Sequence, residues 1–369
     1  MNISYVSNSS CPSHVPSSLQ IVKTCEFLSK NGNNVSLIIP NTSQSKLSIN
    51  NFYDIKNKFK IIRLLKFKKF PLGFNYYFYS LISFFKAKKI SELIISRNFF
   101  VIFLCIMFKK KCIIEIHHDI KIEARIVQFL FKNFNIFDNE NLIKIIAISN
   151  AIKINYLENF KLKNLNKIFV LPSGSSLKFN FSTPLQKKRL KLGYFGSINS
   201  SKGIDLIIKL SKYDKHNDYF IFGGLKEQVL KLNRKNHNKN LFIYSHLNYK
   251  ELKKKIILMD IFLIPYSKNV TAAGEVSNIT NFTSPLKLFD YMSAGKLILS
   301  SELDSLKEIL KDKKNCLFIK NFSNPFSWLL KIRLIENNIE MRKIISKNSY
   351  SDSFQYHHEK RTQKYLDIK

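Results

Sequence analysis

Residues 2–40 read N-I-S-Y-V-S-N-S-S-C-P-S-H-V-P-S-S-L-Q-I-V-K-T-C-E-F-L-S-K-N-G-N-N-V-S-L-I-I-P. Asn2–Val6 is a short strand-like run that ends in a polar loop, Ser7 to Ser18. Leu19, Val22, Thr24, Cys25, Phe27 and Leu28 then mark one face of a helix, and Gly32 stands just beyond it as a stop. Val35–Ile39 is an apolar run closed by Pro40. Strand, loop, helix, turn, strand is a right-handed parallel unit.

The alternation continues. Further strands are predicted at Glu92–Ile95, Cys112–Ile116, Lys144–Ile148 and Lys167–Val170. Several are apolar on both faces, as strands buried between helix layers are. Pro172-Ser173-Gly174 and the polar run from Ser182 to Lys188 read as a linker. A second series follows at Leu190–Phe195, Tyr219–Phe222, Leu241–Tyr244, Ile261–Ile264, Leu297–Ser300 and Cys316–Ile319, with helical patterns between. The expected class is α/β, with two Rossmann-like, doubly wound parallel-sheet domains: 1–180, then 181–350, then a terminal helix over 351–369. Such sheets bind ligands at the carboxyl ends of their strands, and a cleft between two of them is the default site.

The chain has 369 residues, enough for two domains, and 45% hydrophobic residues, which excludes a disordered chain. Sixty Lys and Arg against 26 Asp and Glu give a formal charge of +34. That favours phosphates, nucleic acid or an anionic membrane surface, although compositional drift toward Lys, Asn, Ile and Phe accounts for it equally well. Cysteines 11, 25, 105, 112 and 316 form no C-x-x-C pair. No signal peptide is visible, and the longest apolar runs are about half a bilayer span. A cytoplasmic protein, soluble or peripheral, is expected. Between Tyr53 and Ile90 ten Lys or Arg stand against one acid, Asp54, with aromatics interleaved. That segment reads either as an anionic-membrane contact or as ordinary core-facing helices with solvated lysines.

Two constellations carry chemistry. In G-Y-F-G-S-I-N-S-S-K-G (193–203) a strand runs into a small polar loop and then a helix. Free helix-start amides with Lys202 beside them suit a diphosphate, and a plain strand-to-helix turn is the alternative. In S-P-L-K-L-F-D-Y-M-S-A-G (284–295) Ser284 is expected to cap a helix, with Pro285 at its first position and Gly295 as its stop. Lys287 and Asp290 share a stripe. A lysine opposing the helix dipole suggests a bound anion, and the aspartate suits sugar hydroxyls. A simple surface pair is the alternative.

These two blocks resemble glycosyltransferase family 4 (group 1), of GT-B fold, in which two Rossmann-like domains face a central cleft. The first helix and second strand, E-I-H-H-D (115–119), I-I-A-I-S-N-A-I-K (145–153) and H-H-E-K-R-T-Q-K-Y-L (357–366) are also similar to family positions. The resemblance implies a retaining sugar transfer from a nucleotide-sugar, with no metal and no further cofactor. The donor would lie on the second domain, and the acceptor, a glycan or lipid-linked group of surface polysaccharide or lipopolysaccharide synthesis, on the first. The terminal helix would cross back to the first domain.

Residue by residue, the resemblance implies that Lys202 holds the diphosphate and Asp290 the ribose. Ser284, Pro285, Leu286 and Lys287 would meet phosphate, and Tyr244 to Leu247, including His246, the base. His117, or its neighbour His118, would lie near the transferred sugar; a structural histidine is the alternative. Three departures stand out. Ser197 takes the place of a phosphate-binding arginine. Phe282 takes that of the first of two acids, with Glu275 as the alternative source. The first-domain loop reads Ser9-Ser10-Cys11-Pro12 in place of glycines. His357 and His358 are adjacent and read as structural, not as metal ligands at helical spacing. The competing classes are a nucleic-acid-binding protein, for which no motif speaks, and another GT-B enzyme such as an epimerase.

Overall fold

The computed structural model describes residues 1–42, 48–65, 72–160, 162–271 and 278–367. The chain divides into two compact units. One comprises Met1–Ser173 with His358–Lys369, and the other Gly174–His357.

The first unit holds a seven-stranded parallel sheet built from β1 (Asn2–Val6), β2 (Asn34–Pro40), β3 (Lys60–Leu64), β4 (Leu93–Ser96), β5 (Cys112–Ile116), β6 (Leu142–Ala147) and β7 (Ile168–Val170), in the order 3-2-1-4-5-6-7. The order reverses between β1 and β4, which is the topological switch point of a doubly wound sheet. The strands are apolar on both faces because helices cover both: α1 (Pro16–Lys30), α2 (Ile49–Tyr53), α3 (Leu72–Ile90), α4 (Phe99–Met107), α5 (Arg125–Asn133) and α6 (Asn150–Phe160). Pro16 opens α1, where its missing N–H costs nothing.

The second unit has a six-stranded parallel sheet: β8 (Lys191–Phe195), β9 (Asp218–Phe222), β10 (Leu241–Tyr244), β11 (Ile261–Ile264), β12 (Leu297–Ser301) and β13 (Leu317–Ile319), in the order 10-9-8-11-12-13. Here the reversal falls between β8 and β11. The covering helices are α7 (Ile204–Tyr213), α8 (Lys226–Lys235), α9 (Tyr249–Ile256), α10 (Leu286–Ser293), α11 (Asp304–Lys307), α12 (Pro325–Glu336) and α13 (Ile339–Ser353). Leu192, Tyr194, Ile221, Leu263 and Leu299 meet Trp328 and Ile332 in its core.

After α13 the chain re-enters the first unit as α14 (His358–Leu366), which packs on α1. Lys144 Nζ donates to the carbonyls of Lys364 and Asp367, closing the carboxyl end of α14 with a cation where the helix dipole is negative. His358 stacks on Phe27 of α1, with ring centroids 6.1 Å apart.

Two local expectations differ from the structure. Lys60–Leu64, inside the basic aromatic segment, is an edge strand and not helix. Charged residues are what blunt an exposed sheet edge, and here they mask the strand. Helix α10 begins at Leu286, with Pro285 at the N-cap position (φ −73°, ψ 127°) and no side-chain cap. Ser284 thus precedes the helix and does not cap it.

Candidate functional site

The second unit gathers its chemistry at the carboxyl ends of β8 and β11, beside the switch point. After β8 the turn Ser200–Lys202 leads into Gly203 at φ +78°, the N-cap of α7. A Cβ there would fall on the Pro265 carbonyl oxygen, so only glycine lets this turn approach the end of β11. The turn is tied down by Ser201, whose Oγ lies 3.0 Å from Thr271 Oγ1 and whose carbonyl accepts from the Ser267 amide. At neither α7 nor α10 does the N-cap residue's side chain accept from a helix-start amide.

Lys202 and Lys287 converge. The Lys202 ammonium lies 4.7 Å from the Tyr266 ring centroid and that of Lys287 5.4 Å from the same ring. Lys287 also sits 3.7 Å from the Tyr194 ring centroid. Among the described residues neither lysine forms an ion pair with a carboxylate. Burial lowers the Lys202 pKa to about 8. Lys287 lies well below the usual range, through burial first and the Lys202 charge second. Two half-buried cations, faced by aromatic rings and two helix starts, form a site that lacks negative charge. Tyr291 fixes α10 in place: its hydroxyl accepts from the Phe195 amide at 2.7 Å, and its ring stacks on Phe262 at 4.0 Å.

Asp290 is not the partner in a surface pair. It is buried, and Ser175 Oγ donates to its Oδ1 at 2.5 Å. Burial outweighs that bond and raises the Asp290 pKa to about 7. Ser197 is exposed, and its carbonyl accepts from the Tyr194 hydroxyl at 2.9 Å. Tyr244 ends β10 half exposed and stacks on Phe222 at 5.0 Å, which stacks on Phe195 at 4.7 Å. This ladder of rings runs across β8, β9 and β10, with Phe195 and Phe222 buried and Tyr244 as its exposed end. The His246 amide donates to the Gly224 carbonyl. Phe282 lies in the turn Thr280–Phe282, and Glu275 is outside the described residues.

His117 belongs to the first unit, just after β5. It borders a cavity of about 280 Å³ together with Ser9, Arg97, Glu115, His118 and Glu123. Its Nε2 lies 2.8 Å from Glu115 Oε1. A carboxylate only accepts, so the shared proton is on Nε2 and Nδ1 is left as an acceptor. Burial first, and then Arg97, hold the His117 pKa down at about 4, so the ring is neutral near pH 7. His118 pairs instead with Glu123 at 2.8 Å.

Behind His117 lies a network that the motifs did not reveal. Glu115 is fully buried. Its Oε1 also accepts from Arg97 Nη2 at 3.0 Å and Arg361 Nη2 at 2.8 Å, and its Oε2 from the hydroxyls of Tyr5 at 2.9 Å and Tyr365 at 2.5 Å. The available signal was the single acid in the apolar strand C-I-I-E-I. Its partners come from β1, α1 (Gln20 Nε2 donates to Oε1 at 3.3 Å), the loop after β4, and α14, and only the fold brings them together. Tyr194, Tyr266 and Ser175 were missed for the same reason.

Comparison with known proteins follows the same lines. The family model for glycosyl transferases group 1 matches residues 176–352. An uncharacterized glycosyltransferase of Methanocaldococcus jannaschii is 26% identical over 277 residues, covering 67% of this chain and 65% of the relative. The match thus spans just under two thirds of that relative's length. A glycosyltransferase from Rickettsia africae superposes with a TM-score of 0.73 at 14% identity, over 100% of this chain and 97% of its own. HepE from Anabaena, solved with UDP, gives 0.71 at 11% identity, over 100% and 99%. At those identities the likeness concerns the fold, which is GT-B. With residues 176–352 matched, the second unit is a group 1 glycosyl transferase domain of family GT4.

Proposed function

We propose that the protein is a glycosyltransferase that moves a sugar from a nucleotide-sugar to a glycan or lipid-linked acceptor of a surface polysaccharide. The observation that carries this reading is the pair of carboxylate-free lysines at two uncapped helix starts. Lys202 and Lys287 would hold the donor diphosphate, and backbone from Ser284 to Leu286 would share it. The ring ladder ending in Tyr244, with His246 beside it, would meet the base, and Asp290 the ribose. His117 would accept a hydrogen bond from a sugar hydroxyl at Nδ1.

In the reaction the bond between the anomeric carbon and the diphosphate oxygen breaks. A bond to the acceptor oxygen forms on the same face, and the acceptor proton passes to the leaving phosphate. Negative charge then grows on the diphosphate, where fixed cations and amides stabilise it. No cofactor is required in this reading, because the nucleotide-sugar is itself a substrate.

HepE has been solved with UDP-glucose, so uridine donors come first in the test. A thermal-shift panel of UDP, GDP, ADP and their sugars should raise the melting temperature of the protein with one nucleotide class. At a ligand concentration of about 100 times Kd the stabilisation is about 2.7 kcal/mol. No shift with any of them would end the transferase reading. Slow loss of the donor sugar to water, with the nucleoside diphosphate released and no acceptor present, would add support. Epimerisation of the donor instead would favour the other GT-B class.

A further inference from the structure

We propose that the outer face of α3, α4 and α5 in the first unit docks on an anionic lipid bilayer. This goes beyond the donor site and does not rest on it. The right-handed crossovers from β3 to β4, β4 to β5 and β5 to β6 put these three helices on one side of the sheet, each packed against the next.

The basic aromatic segment does not act as one amphipathic piece. Residues 60–64 are in the sheet, Tyr79 and Phe84 are in the core, and 66–71 are outside the described residues. What faces outward is a stripe of α3, Phe74, Leu81 and Phe85, and it continues onto the neighbouring helices. Phe85 stacks edge-on to Phe108 at 5.4 Å, just past α4, and Phe103 of α4 meets Phe134, just past α5, at 6.0 Å. On α5, Ile126 and Phe129 project on one face and are 54% and 59% exposed. Large apolar side chains exposed in this density mark an interaction surface, not ordinary surface scatter.

Charge decides the partner. None of the three helices contains an acidic residue. Lys86, Lys88 and Lys89 of α3, Lys132 of α5, and Lys109 and Lys111 just past α4 are all exposed. Lys88 Nζ lies 4.5 Å from the Phe108 ring centroid, its stem laid along the apolar surface with the charge at the edge. Exposed apolar rings with lysines on the same helices suit shallow insertion among anionic headgroups. Among the described residues no helix is long and apolar enough to cross a membrane, so the contact is interfacial. A second copy of this chain would set these acid-free, lysine-bearing helices against their like, which is unfavourable.

The test is flotation of the full chain with phosphatidylcholine vesicles, with and without phosphatidylglycerol, at low and high salt. The protein should float with the anionic vesicles at low salt, less at high salt, and not with the neutral ones. Phe85→Asp with Phe129→Asp should lower partitioning at least about tenfold. Lys86, Lys88 and Lys89 changed together to Gln should do so mainly at low salt. Circular dichroism melts confirm that the variants fold, since both phenylalanines are about half exposed or more. A wild type that stays with the lipid-free fraction, or a double variant that floats unchanged, would overturn the proposal. So would a concentration-dependent dimer that the aspartates abolish without any vesicle binding. Donor binding in the thermal-shift panel should be the same in all variants, so failure here leaves the donor reading standing, and failure there leaves this one.

Discussion

Replacing Lys287 or Lys202 by alanine lowers nucleoside-diphosphate affinity by about tenfold to a hundredfold, the worth of one charge-assisted contact. Titration calorimetry with the nucleotide found in the donor panel measures it. The double variant should lose more than the sum of the two singles. The two ammonium groups lie over one ring, and Lys202 already weighs on the Lys287 charge. Each single change therefore relieves a repulsion that the double change removes only once. Unchanged affinity in either single variant would remove that lysine from the proposed site.

The same pair gives the binding a direction in pH. Lys202 is held at about 8 against an ordinary 10.5 by burial, so above pH 8 the free protein carries fewer protons at this position than the unfolded chain. Through the window from about 8 to 10.5 the unfolded state binds the extra proton, and stability gains from this group as pH rises. A diphosphate needs the charged form and works the other way. Its binding should take up protons near pH 8, and its affinity should fall as pH is raised further. Calorimetry in buffers of different ionisation enthalpy reads that uptake directly. A donor bound with no proton uptake would place the phosphates away from Lys202.

Much of this architecture was legible in the amino acids, for a physical reason. A strand covered on both faces has to be apolar along its whole length, so C-I-I-E-I and I-F-L-I declare themselves. K-I-I-R-L did not, because an edge strand carries charge as protection against pairing, and charge reads as surface. The lysines were legible from their place beside glycine-rich turns and helix starts. The rings beneath them were not, because Tyr194 lies in β8 and Tyr266 just past β11, and the adjacency of those strands is a matter of sheet order and not of spacing. The helix start at Leu286 was misjudged because Ser-Pro satisfies the capping preferences in isolation, while the backbone at Pro285 is still extended.

Glu115 is where a single change should cost the most stability. Two guanidinium groups, Arg97 and Arg361, converge on one carboxylate with no access to water, and two phenols donate to its other oxygen. Burial pushes this carboxyl up, but Arg97, Arg361 and His117 outweigh it and hold it well below the usual 4.5. Removing the carboxylate leaves the buried Arg361 and the largely buried Arg97 uncompensated. Glu115→Ala and Glu115→Gln should each lose about 3–5 kcal/mol, since breaking a buried ion pair on one side costs far more than the pair is worth. Arg361→Lys should not rescue an Arg361→Ala loss. The guanidinium makes three directed bonds, to the Pro172 carbonyl at 2.8 Å, the Tyr365 hydroxyl at 2.9 Å and Glu115, and an ammonium cannot match that fork. Tyr365→Phe removes one hydroxyl bonded to both a carboxylate and a guanidinium and should cost about 1.5–3 kcal/mol. Acid gives the independent check. A carboxyl depressed in the folded state stabilises above its unfolded pKa, and that contribution is lost as pH falls below about 4.5. His117, held at about 4 against an ordinary 6.5, adds a loss between those values, because the unfolded ring takes the proton first. Urea unfolding of the wild type should therefore weaken steadily from pH 6.5 downward, and Glu115→Gln should flatten the lower part of that decline. A variant that melts and acid-unfolds like the wild type would show that α14 is held to the first unit by its packing on α1 and its other contacts, and not by the carboxylate beneath His117.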